Sequence, residues 1–128
     1  MVKGIEHAAI LSNDTKALSD WYKEMFSLKT VYDNGKGTYF LAFESGDMIE
    51  FVKTDEISEK MSHTASGLRH LAFSIDDADF MPMVEKLKKS GAEVVSDVSA
   101  NAKGIKTFFF RDTDGNVCHL IVRPEPLV

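Results

Sequence analysis

Cysteine is nearly absent from this chain. Cys118 is the only one among 128 residues, so an intrachain disulfide framework and a paired-cysteine zinc site are both excluded. There is no apolar run near the ~20 residues that cross a bilayer, and no membrane partner is expected. An excess of basic residues is also missing: 15 Lys+Arg stand against 20 Asp+Glu, a formal net charge of −5. That balance leaves no electrostatic footprint for nucleic acid. The N-terminus carries one early lysine but no long apolar stretch closed by small residues, which makes a poor signal peptide. A cytoplasmic location is the expectation. Hydrophobic residues at 44 % and charged residues at 27 % form an ordinary globular balance. The length fits one domain, or two small modules sharing a core.

Asn13, Asp14 and Thr15 offer helix-capping chemistry. After them Leu18, Trp21, Tyr22, Met25 and Phe26 recur at helical spacing and predict one amphipathic helix. Two strand-like runs, residues 38–44 and 48–53, flank Ser45, Gly46 and Asp47 and read as a hairpin. Residues 54–67 turn polar and are read as a linker; His63 within it is expected to be solvated, the alternative being a loop that covers a site. A strand over 68–75 follows, then a helix capped by Asp76 or Asp77, with Phe80, Met83, Val84 and Leu87 on one face. Pro82 is placed in the first turns of that helix and Gly91 at its stop. Residues 92–98 predict a strand. A second hairpin spans 106–112 and 116–123 around Thr113, Asp114 and Gly115. Tyr22, Tyr32 and Tyr39 serve equally well as packing or as substrate contacts. The loops that would set specificity are 32–37, 54–67 and 99–106.

The order is strand, helix, two or three strands, linker, and the same again, so the chain is tested for internal repetition. Laying IEHAAI over LRHLAF places His7 on His70, and Glu50 follows Gly46 at the interval at which His119 follows Gly115. The repeat-related modules run over 4–53 and 68–124 within one domain of residues 1–128. Strand alternation puts Met48, Glu50 and Val52 on one face, and Val117, His119 and Ile121 on another. Cys118 falls opposite His119 and reads as a small buried hydrophobe. Both faces of each strand are rich in apolar residues, so both are expected to be covered. Glu50 is then an ionisable group on an apolar strand, costly unless paired or bound to a metal. His7, Glu50, His70 and His119 together offer three imidazoles and one carboxylate. That donor set suits a divalent transition ion, Zn or Ni ahead of Mn, Fe or Co.

With IEHAAI, DWYKEMF, MIEFV, LRHLAF and RDTDGNVCHLIVRP on the page, the chain resembles the vicinal oxygen chelate superfamily over residues 5–124. That superfamily includes glyoxalase I (lactoylglutathione lyase), methylmalonyl-CoA epimerase, extradiol dioxygenases, fosfomycin-modifying enzymes and bleomycin-binding (bleomycin resistance) proteins; glyoxalase I is taken as the nearest type. The resemblance implies an α+β fold of two tandem βαβββ modules forming an open, cupped mixed sheet with the helices outside. It also implies His7 and His70 as ligands from the first strands, Glu50 as the ligand closing the first module, and a homodimer. Thr113 stands where the family's turn usually has proline. His119 stands where the family most often has glutamate.

A metal that chelates two adjacent oxygens of a small-molecule substrate stabilises an enediolate or similar oxyanion. It thereby acidifies the neighbouring C–H for a base, with Glu50 and His119 as candidates. The leading expectation is thus a metal-dependent, glyoxalase-I-like lyase or isomerase. The rivals are an extradiol-type dioxygenase and a metal-free small-molecule binding or resistance protein of the same fold.

Overall fold

The computed structural model describes residues 1–59 and 61–128; the linker expected over 54–67 includes residue 60, which lies outside the described residues. The chain divides into two compact units, Met1–Ser58 and Glu59–Val128. Each is built as strand, helix and three strands.

In the first unit, β1 (His7–Ser12) leads into α1 (Thr15–Phe26), followed by β2 (Lys29–Asp33), β3 (Tyr39–Ala42) and β4 (Met48–Lys53). Asp14 starts the helix: its carboxylate accepts the Ala17 N–H at 3.0 Å, satisfying one of the donors that a helix leaves open at its first turn. The stripe predicted for this helix splits. Leu18, Tyr22 and Met25 are buried, while Trp21 and Phe26 are half-buried and lean on Tyr22. The buried side packs on β1, β3 and β4, where Ile10, Leu41, Ile49 and Phe51 complete the core. Tyr22 and Phe51 meet there with ring centroids 5.4 Å apart. Full burial of each such side chain is worth roughly 1.5–3 kcal/mol.

The sheet order is β1-β4-β3-β2, with β1 parallel to β4 and the other pairs antiparallel. β2 is a strand the periodicity did not locate, and it takes in Tyr32 and Asp33 from an expected loop. It is a sheet edge with every residue exposed, so no alternation of apolar and polar residues marks it.

The second unit repeats the plan. β5 (Leu71–Ser74) precedes α2 (Asp77–Lys89), β6 (Val94–Ala100), β7 (Lys106–Arg111) and β8 (Val117–Val122), in the order β5-β8-β7-β6. β5 is parallel to β8. Phe80, Val84 and Leu87 of α2 are buried, with Met83 half-buried. They share the second core with Phe108, Phe110, Cys118 and Leu120, and the expectation for Cys118 holds. Asp76 is the N-cap of α2, but its side chain makes no capping hydrogen bond. Pro82 lies inside the helix rather than at its opening position. It gives up one helical hydrogen bond, and the three buried side chains around it hold the helix to the sheet.

Two boundaries move from their sequence positions. β5 is shorter than the run over 68–75, because Leu68 is exposed and the ladder with β8 begins only at Leu71. β6 starts later than expected and reaches into the loop predicted over 99–106. Its pairing with β7 is irregular at two places, as suits an edge.

The repeat extends to the turns. Asn34 Oδ1 accepts the N–H groups of Lys36 and Thr38, and Asn101 Oδ1 accepts those of Lys103 and Ile105. The β3–β4 and β7–β8 turns place Gly46 and Gly115 at φ +98° and +91°, the left-handed region that glycine enters without a Cβ clash. No helix among the described residues is long and apolar enough to cross a membrane.

The two helix starts generate a contrast. Asp14→Ala is expected to cost about 1 kcal/mol, read as a lower urea midpoint at unchanged slope. Asp76→Ala should cost only a few tenths, since that carboxylate caps nothing.

Candidate functional site

Pairing register decides which side chains meet on the sheet faces turned away from the helices. In the first unit Ala9 lies opposite Glu50 across the parallel pair, and Phe40 lies opposite Glu50 on its other side. In the second unit Ala72 and Phe109 hold the same two positions beside His119. A histidine stands two residues before each alanine: His7 opens β1, and His70 immediately precedes β5. The covering on both sides that the apolar patterning predicts holds for β8, where Val117 and His119 are buried, and holds in part for β4, where Met48, Glu50 and Val52 are half-buried; the first strands beside them are open. Ala9, Leu11 and Ala72 are exposed, because each helix packs on the other face of its sheet.

On the first face, His7 Nε2 is 3.5 Å from Glu50 Oε1, and both side chains are partly exposed. The other ring nitrogen of His7, Nδ1, is 2.8 Å from the carboxylate of Glu6. The His7 ring meets Phe40 edge-on at 5.2 Å, and Tyr32 stands beyond Phe40 at 5.9 Å. Two donors held 2.0–2.1 Å from a tetrahedral ion are about 3.4 Å apart. The His7–Glu50 spacing fits a pair of cis ligands, and it is long for a direct hydrogen bond.

On the second face, His119 is buried and its ring stacks on Phe109, centroids 4.3 Å apart and planes within 10°. His70 approaches the His119 ring at 4.4 Å and meets Phe109 edge-on at 5.5 Å. The Nδ1 atom of His119 is buried with no hydrogen-bond partner among the described residues, a costly state for a polar atom left uncompleted. Burial pushes the His119 imidazolium down to about 4, with His70, His63 and Arg69 adding to the effect. Burial, then His63 and Arg69, lowers His70 as well. Both rings are therefore neutral at pH 7, and their lone pairs are available to a metal.

The structure thus brings His7 to Glu50 and His70 to His119. Among the described residues, no group of three or more His, Cys, Asp or Glu side chains is arranged to hold a metal ion. Three further residues belong to these faces, none of them given as a site residue by the sequence. Phe40 and Phe109 are found by counting back across the two glycine turns from Glu50 and His119. His63, expected in solvent, is half-buried with Nε2 3.3 Å from His70 Nδ1 and its ring 5.3 Å from Phe109. No pattern in the polar segment marks it. Of the three tyrosines, Tyr22 is core and Tyr32 is the one beside this face.

Comparison with known proteins places these features in a family. A sequence model of the Glyoxalase/Bleomycin resistance protein/Dioxygenase superfamily matches residues 4–120. The fosfomycin resistance protein FosX of Listeria monocytogenes is 22 % identical, over 94 % of this chain and 90 % of its own. The glutathione transferase FosA of Serratia marcescens is 23 % identical, over 95 % and 82 %. The crystal structure of the Listeria FosX superposes with a TM-score of 0.80 at 20 % identity, covering 99 % of this chain and 97 % of that one. A mutant of that protein, with a TM-score of 0.78 at 20 % identity and coverage of 99 % and 94 %, was crystallised with Mn(II) and 1S,2S-dihydroxypropylphosphonic acid.

The buried imidazole makes stability depend on pH. The unfolded chain takes up a proton at His119 near pH 6.5 and the folded chain only near 4. Its stability contribution is complete above pH 6.5 and is lost as pH falls toward 4, by roughly 2–3 kcal/mol. Urea unfolding of chelator-treated protein from pH 7.5 to 4 should show this slope. His119→Phe, which keeps a ring against Phe109, should be flatter over the same range.

Proposed function

Because the chain belongs to the glyoxalase/bleomycin resistance protein/dioxygenase superfamily, we propose that it is a divalent-metal-dependent enzyme acting on a small oxygen-rich substrate. The donors are His7 and Glu50 on the first unit and His70 and His119 on the second. The observation that carries this reading is the buried Nδ1 of His119 beside His70, unpartnered among the described residues, together with the ligand-like spacing of His7 and Glu50 on the first unit. Neutral imidazoles and a carboxylate suit Zn, Ni or Mn, and Mn(II) is the ion held by the related FosX. When bound, such an ion supplies Lewis-acid polarisation of substrate oxygen.

The chain's own residues supply the rest. Phe40 stands edge-on to the His7 ring, and Phe109 stacks on His119 and helps bury it, which strengthens polar contacts at that ring. Glu50 is the carboxylate placed to accept a proton, from an attacking nucleophile or from a substrate carbon. His119 is held neutral by burial and acts as a donor of electron density rather than as an acid.

The substrate class is a small phosphonate of the fosfomycin kind, since the relatives include the fosfomycin resistance protein FosX, one form of which holds a dihydroxypropylphosphonic acid, and the glutathione transferase FosA. A second reading, isomerisation of a glyoxalase I substrate, is favoured by Glu50 as a base beside His7. The cytoplasmic homodimer expected from the sequence and the family resemblance is part of the proposal.

Protein purified without a chelator or a metal-affinity tag should carry a divalent ion by elemental analysis. Fosfomycin should be consumed, with water or with thiol, in the presence of Mn, Ni or Zn, and chelation should abolish the reaction. Glu50→Ala should lower turnover by about 10²-fold or more. Lactoylglutathione formation without fosfomycin turnover would replace the first substrate class with the second. Oxygen uptake with catechols would instead identify a dioxygenase. A metal-free protein would overturn the proposal in favour of a binding or resistance role.

A further inference from the structure

The segment after Ser58 carries a histidine that no strand pattern explains, yet it is held in place by named bonds. Arg111 Nη1 donates to the Met61 carbonyl at 2.9 Å and to the Gly115 carbonyl at 2.6 Å, while Nε pairs with Glu93 at 2.7 Å. The Val117 N–H reaches Met61 Sδ at 3.4 Å. At the next residue, Ser62 Oγ accepts the N–H groups of Thr64 and Ala65. His63 is set between these anchors with Nε2 3.3 Å from His70 Nδ1.

Two imidazole nitrogens at that distance share one proton, so one ring donates and the other accepts. If His70 donates from Nδ1, its Nε2 keeps a lone pair free for an ion. If His63 donates, His70 carries its proton on Nε2 and cannot serve as a ligand through that atom. The first unit shows which arrangement the fold uses at the equivalent histidine. His7 Nδ1 faces the Glu6 carboxylate at 2.8 Å, and an ionised carboxylate only accepts, so Nδ1 of His7 is the donor there, with Nε2 turned toward Glu50 at 3.5 Å. Ligating histidines are generally held in this way through their second nitrogen.

We infer that His63 is a positioning residue for His70, accepting the Nδ1 proton and presenting His70 Nε2 as a metal donor, as Glu6 does for His7. The inference rests on the reading of His70 as a ligand. His63 is not itself added to the donor set, since among the described residues no three such side chains are arranged to hold an ion.

Simple ring packing against Phe109 is the competing role, and two variants separate it. His63→Phe keeps the ring and removes the acceptor; His63→Gln restores an acceptor. Metal affinity, read by competition with a chromogenic chelator, should fall 10- to 100-fold in His63→Phe and recover to within a few-fold of the parent in His63→Gln. Long-range ¹H–¹⁵N spectra of the metal-free protein should show His70 as the Nδ1–H tautomer in the parent and in His63→Gln, and as a mixture in His63→Phe. Equal affinity and an unchanged His70 tautomer in His63→Phe would overturn the inference. An Nε2–H tautomer of His70 in the parent would also overturn it. If the parent binds no metal, the ligand reading of His70 falls, and the tautomer spectra alone decide whether His63 orients that ring.

Discussion

Each unit depends on one constraint, the parallel pairing of its first strand with its last: β1 with β4 and β5 with β8. A tight turn cannot join parallel strands, so a helix and two strands must intervene. In both units the helix then covers one sheet face and buries the aromatic and branched side chains of the last two strands. The other face keeps the residues that the helix does not touch. The register is the same in both units, with alanine opposite Glu50 in one and opposite His119 in the other. A slip by one residue would turn Glu50 and His119 into the cores under α1 and α2. Their place on the open faces is therefore enforced by the same burial that stabilises the fold.

That shared frame carries two different electrostatic environments. His7 stands between two carboxylates, those of Glu6 and Glu50. His70 and His119 face each other, with His63 and Phe109 beside them, and the charges acting on them are those of neighbouring histidines and Arg69, which add to burial in lowering their proton affinity. Burial is the largest cause there, and it favours the neutral ring. The first face offers a proton acceptor and the second offers neutral nitrogen donors, which is why Glu50 rather than His119 is assigned the base role. The substitution of histidine for the usual glutamate at 119 thus changes what the second face contributes.

Much of the fold was legible because burial leaves periodic traces. Both helices, the two glycine hairpins and the repeat relating His7 to His70 all follow from apolar spacing and turn chemistry. β2 was missed and β6 displaced because they are exposed edges, where no buried face imposes alternation. Phe40 and Phe109 were present in strands already predicted. They became site residues only when pairing register set them beside Glu50 and His119. His63 had no signal, because its position comes from Arg111 and Val117 bonding to Met61 rather than from any local preference.

Short motifs carried the resemblance that implied the family and the α+β plan, and residue types with their spacing named the four candidate donors, since these depend on short-range order along the chain. Tertiary folding set the distances between them, the neutrality of His119 and the contact from His63. These depend on cross-strand register, on burial and on bonds between residues far apart in the chain. A linear pattern can say which side chains share a strand face; it cannot say which nitrogen of a histidine is already occupied by a neighbour.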